Sequence, residues 1–231
     1  MENMEQEIEK LNDWNAQGRY AEVVAETSTD INLITDDNTE EEFAALYVVR
    51  GNALFSLGRF QEALEAYGKA IELDTFDVGA RCNYGSTLYT LGRYVDALNA
   101  CDAAILTDEN FAPAYVNVAH CLVALKHDEE AVYALQQAFM LASDDVELGK
   151  KVADMAADLD DFEVALDCYL KVAALPNAPE DIQKTIHDFF MKFKNHEAVS
   201  RQDWIKGVDS WRGAFPNKPE VMRLSGDLLR G

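Results

Sequence analysis

No stretch of 18 consecutive apolar residues occurs in the sequence, so no membrane-spanning helix is expected. The first residues, Met1-Glu2-Asn3-Met4-Glu5, lack the basic start and apolar stretch of a secretory leader, which leaves a cytoplasmic location as the expectation. The four cysteines, Cys82, Cys101, Cys121 and Cys168, form no C-x-x-C pair, and their scatter argues against both disulfide and zinc. No metal spacing joins His120, His127, His187 and His196. Asp158, Asp160 and Asp161 lack the glycine and closing glutamate of a calcium loop. No glycine-rich phosphate loop follows a strand, and no serine sits in a nucleophile elbow. Neither catalytic residue nor cofactor nor metal is therefore expected. Positive charge is scarce as well: 20 Lys+Arg face 42 Asp+Glu, a net charge of −22. Such a field repels nucleic acid and anionic membranes and favours basic or amphipathic partners. An acidic surface also serves plain solubility, and both readings stay open.

What is present is a period. The stretch Ala44 to Asp77 is restated in steps of 34 residues from Val78, Ala112 and Val146, and a further start falls at Glu180. Position 8 is Gly51, Gly85, Ala119 and Ala153, and position 20 is Ala63, Ala97, Ala131 and Ala165. Position 14 is leucine in all four copies, and position 27 is Ala70, Ala104, Ala138 and Val172. A fixed period of this length marks a stacked array rather than a single-core globule. Apolar residues at positions 4, 7, 8 and 11 make one helical stripe, and those at 20, 24 and 27 make a second. Gly58-Arg59-Phe60 and Gly92-Arg93-Tyr94 interrupt the pattern where a turn joins two helices. One helix pair cannot bury both stripes, so stacking on neighbours completes the core.

Tyr47, Gly51, Ala63, Tyr67 and Ala70, with Leu57-Gly58 at the turn, resemble the hallmark residues of the tetratricopeptide repeat family. The family's proline at position 32 is missing from all four copies. The resemblance implies an all-α, right-handed superhelical solenoid of stacked antiparallel helix pairs. Residues 1–43 are expected to form a degenerate first repeat, because Gly18-Arg19-Tyr20 sets its position 1 at Met4. Its surplus of about six residues falls in 28–42, where Thr39 and Glu42 read as a capping box and Trp14 as a packing group. Residues 44–179 hold four regular repeats. Residues 180–218 form a fifth with an insertion of about five residues within 194–202, which puts Trp204, Val208 and Trp211 at positions 20, 24 and 27. Residues 219–231 are a capping helix or the start of another repeat.

Since each residue turns a helix by about 100°, positions 5, 6, 9 and 12 share a face beside the first stripe. The resemblance implies that this face lines a concave, peptide-binding wall. The groove residues expected are Val48, Asn52, Phe55, Asn83, Ser86, Tyr89, Val116, Asn117 and His120. The walls of the later repeats are charged, with Lys150, Lys151 and Asp154, then Lys184, Thr185 and Asp188. Heat-shock co-chaperones of the family clamp a terminal carboxylate with Lys at 5 and Asn at 9, Asn at 6 in the next repeat, and two basic residues in the third. Asn52 and Asn83 match that set, but Val48, Pro113 and Asn117 replace the basic residues, so no dicarboxylate clamp is expected. Asn83 and Asn117 instead resemble an asparagine ladder, whose amides both donate to and accept from a peptide main chain. The expected function is a protein–protein adaptor or scaffold that binds a peptide or helical segment. A chaperone for an apolar secreted or membrane-destined protein, or the repeat arm of a larger enzyme, remains the alternative. A groove filled by the chain's own segment or by a second copy also stays open.

Overall fold

A computed structural model describes residues 4–30, 40–142 and 144–230. Among the described residues there are thirteen helices and no strand. The chain divides into two compact units, Met1–His127 and Asp128–Gly231. The first unit contains α1 (Met4–Ala16), α2 (Tyr20–Asp30), α3 (Glu40–Ser56), α4 (Phe60–Leu73), α5 (Val78–Thr90), α6 (Tyr94–Thr107) and α7 (Ala112–Ala124). The second contains α8 (Asp128–Leu141), α9 (Val146–Asp158), α10 (Phe162–Ala174), α11 (Ile182–Phe193), α12 (Arg201–Ala214) and α13 (Pro219–Arg230). The division falls between α7 and α8, inside one 34-residue copy of the sequence period.

The first five turns between paired helices are short because one residue in each takes a left-handed backbone, whereas residues 194–200 between α11 and α12 have none. Gly18, Gly58 and Gly92 have φ of +75°, +73° and +75°, and all three stand at position 15. Without a Cβ, glycine meets no steric penalty there. Lys126 and Asp160 fill the same position at φ of +68° and +61° and carry that penalty. Helix starts are fixed by side chains: Asp77, Asp145 and Asp161 accept from the N–H of Ala80, Leu148 and Val164, at 2.8, 2.9 and 3.0 Å. Caps of this kind contribute about 0.5–2 kcal/mol each. Ser200, which the repeat pattern does not single out, accepts from the N–H of Asp203 and starts α12 in the same way. Thr39, the first half of the expected capping box, lies outside the described residues.

The first unit packs by close approach. A Cβ on Gly51 would lie 2.5 Å from the ring of Tyr67, and one on Gly85 would lie 2.7 Å from Cys101 Sγ. Ala63, Ala70, Ala97 and Ala104 are fully buried, as the small-residue positions require. Leu11, Val23 and Leu46 anchor the cluster that joins α1, α2 and α3, and Trp14 packs against it with the Arg19 guanidinium 4.1 Å from its ring centroid. The second unit fills space with rings. Phe162, Phe189, Phe190 and Phe193 sit together, and Phe190 stacks on Trp211 at 5.6 Å between centroids. Trp204, Val208 and Trp211 are buried, and the two indoles donate to Phe190 O and Gln183 Oε1 at 2.9 and 2.8 Å.

Candidate functional site

Helices α3, α5 and α7 carry the face expected as the groove. Val48, Asn52, Phe55, Asn83, Ser86, Tyr89, Asn117 and His120 are half-buried, so their side chains reach solvent. Val116 is only 3% exposed, which removes it from the accessible wall. Val49 at position 6 and Cys82 at position 5 are buried as well, so these two positions serve the packing of the array in part. The face expected as a groove wall thus also takes part in packing. Asn117 makes the contact visible, since its Nδ2 reaches Cys82 Sγ at 3.1 Å and Cys82 O at 3.5 Å.

The asparagines form a short relay. Tyr67 Oη donates to Asn52 Oδ1 at 2.7 Å, and Asn83 Nδ2 donates to the same oxygen at 3.2 Å. Asn52 Nδ2 and Asn83 Oδ1 have no hydrogen bond among the described residues, which leaves one donor and one acceptor available on a single wall. Burial raises the pKa of Tyr67, so the phenol stays protonated and holds Asn52 in one orientation. From spacing alone Tyr67 is a packing residue. The signal for its second role is a phenol at position 24 of a repeat whose position 9 is an amide. The second unit repeats the pairing with Tyr169 and Asp154, where burial first and the carboxylate second raise the phenol's pKa.

Rings flank the relay. Phe55 meets Phe60 edge-on at 5.2 Å, and Tyr89 lies 5.4 Å from Tyr94 and 5.9 Å from His120. The wall can therefore offer amide hydrogen bonds beside apolar and aromatic surface. Arg50, also on α3, is committed elsewhere: it donates to Val24 O and to the hydroxyls of Thr27 and Ser28 on α2. No group of three His, Cys, Asp or Glu residues suited to a metal occurs among the described residues.

The family model described as "TPR repeat" matches residues 51–92, which span the relay's Asn52, Tyr67 and Asn83. Residues 51–92 thus match the tetratricopeptide repeat. Solved structures with the same fold include Pseudomonas aeruginosa pilF, at 16% identity and a TM-score of 0.62, covering 97% of each chain. MamA from Desulfovibrio magneticus RS-1 is similar at 19% identity and a TM-score of 0.58, over 78% of this chain and 98% of that one. A thermophilic TPR protein of Thermus thermophilus is similar at 18% identity and a TM-score of 0.53, over 81% and 100%. No curated protein sequence matches the chain. No helix among the described residues is long and apolar enough to cross a membrane.

Proposed function

We propose that the chain is a non-catalytic adaptor that holds an extended or helical peptide segment of a partner protein against α3, α5 and α7 of its first unit. One observation carries this reading: the bond from Asn83 to Asn52 leaves a donor and an acceptor unengaged on adjacent repeats. A peptide main chain supplies the matching pair whatever its side chains are. Phe55, Tyr89 and Val48 add half-buried apolar surface, and the lack of a basic clamp argues for an internal segment over a free carboxyl terminus. A reducing, cytoplasmic setting suits the four buried free thiols.

The test is titration calorimetry of a partner recovered by pull-down from native extract, with the parent and with Asn83→Ala/Asn117→Ala, at two salt concentrations. Each lost peptide hydrogen bond costs about 0.5–1.5 kcal/mol, so the pair weakens binding by about 5- to 150-fold. Both amides also donate within the protein, so the double variant loses stability as well, and its melting curve fixes a temperature at which it is fully folded. Equal affinities that fall together as salt rises reject the groove in favour of the acidic surface.

A further inference from the structure

We propose a second docking site in the second unit: a groove between α10 and α12 that receives a cationic amphipathic segment of a partner protein. Two adjoining cavities of about 430 and 300 Å³ share Phe162, Glu163 and Asp203 and so make one continuous trough. Together they fall in the range of ligand-sized clefts. The floor is apolar, with Val132 at one end, Leu159 and Phe162 in the middle, and Leu166 and Leu170 at the other. Phe162 and Leu166 are buried, while Val132, Leu159 and Leu170 are half-buried and keep apolar surface that a partner's side chains can cover.

The rim selects the partner's charge. Lys206 is the one cation lining either cavity, whereas carboxylates come from α8, from the turn before α10, and from α10 and α12. Several of these are already engaged: Asp160 with His196 at 3.3 Å, Asp161 with the N–H of Val164, and Asp203 with Ser200 and Lys206. Asp128, Glu129 and Glu163 have no ion pair among the described residues. They stand free to meet Lys or Arg side chains that flank an apolar stripe. The chain itself does not supply such a segment readily. Its net charge of −22 repels a second copy, and residues 31–39, Ile-Asn-Leu-Ile-Thr-Asp-Asp-Asn-Thr, contain two aspartates and no cation. The occupant that fits the charge is a basic segment of another protein.

The experiment uses the full chain and a synthetic 14-residue Leu/Lys amphipathic peptide, followed by fluorescence anisotropy, with hydrogen exchange to map the contact. Glu129→Gln/Glu163→Gln is compared with Glu147→Gln/Glu220→Gln, which removes the same charge from exposed positions off the trough. The groove pair is expected to weaken binding about 5-fold, within the range for two partly exposed ion pairs, and the control pair less than about 2-fold. Protection is expected in α10 and α12, and a Lys/Ser peptide of equal charge should bind about 10-fold more weakly because it leaves the floor uncovered. Equal losses in both variant pairs, equal binding of a Leu/Glu peptide, or protection elsewhere overturns the proposal. Self-association of the free chain that vanishes in Glu129→Gln/Glu163→Gln assigns the trough to a second copy and overturns it too.

Discussion

The two units build the same helix pair with different side chains. In the first, Gly51 and Gly85 bring backbones so near to Tyr67 and Cys101 that no methyl group fits. In the second, Phe162, Phe189, Phe190, Phe193 and Trp211 fill the space between the helices with rings. Close packing has no slack in either case. Gly149 and Gly207 leave no room for a methyl group in the second unit either, so what sets that unit apart is the ring cluster, which adds a sensitivity to lost volume. The repeat prescribes where the stripes lie, while the size of the residues within them is set locally.

The sharpest way to break this comparison is Phe190→Ala. Phe190 is fully buried beside two tryptophans, so its loss is expected to cost about 3–5 kcal/mol, read from urea unfolding by Trp204 and Trp211 fluorescence. A loss below about 1 kcal/mol would mean that the ring cluster tolerates cavities and the contrast fails. Gly85→Leu comes next, at about 1–3 kcal/mol or more, because its Cβ meets Cys101 Sγ at 2.7 Å and the Ala97 carbonyl at 3.3 Å. A backbone carbonyl cannot swing aside. Gly149→Ala in the second unit should cost less in the same denaturation assay, since its new Cβ meets a single terminal methyl of Val172.

The phenols at position 24 sharpen the comparison on a finer scale. Tyr169→Phe removes a bond to the Asp154 carboxylate and should cost about 1.5–3 kcal/mol, against about 0.5–1.5 kcal/mol for Tyr67→Phe, which loses a neutral amide acceptor. Thermal melts of the two variants rank them, and the reverse order would show that solvent screening outweighs the charge. The smallest effect is a gain. Lys126→Gly relieves a left-handed backbone and should add about 0.5–1 kcal/mol, while Gly92→Ala at the equivalent position loses a similar amount. Equal stability of all three proteins would place the turn's energy elsewhere.

The period of 34 makes the helix pairs legible, because positions 8 and 20 need small residues wherever two axes approach. The slip before Trp204 can also be located, since indoles must land on a buried stripe. The wall is less legible. Val116 and Val48 share one repeat position and similar chemistry, yet one is buried and the other half-open. Sequence spacing fixes which face a residue occupies and says nothing of what stands opposite. The relay from Tyr67 through Asn52 to Asn83 is hidden for the same reason, as a hydrogen bond needs a distance as well as a register. The trough beside α10 lies further still from view, because its rim is drawn from three helices and a turn with no common spacing.

Asn15 Nδ2 donates to Val49 O at 3.0 Å, Asn117 Nδ2 reaches Cys82 O, and Lys192 Nζ donates to Ala157 O at 2.7 Å. In each case a polar side chain near the first helix of one copy grips a main-chain carbonyl in the first helix of an adjacent copy, 34 or 35 residues away. A carbonyl is the same at every residue, so these joints do not depend on how the adjoining copy is spelled. A substitution in the gripped copy leaves its carbonyl in place, and the joint from Asn15 to Val49 forms even though about six surplus residues lie between those two copies. The two sides of a seam thus carry unequal constraints: the copy that is gripped is free to vary in sequence, and the joint rests on the one side chain that grips.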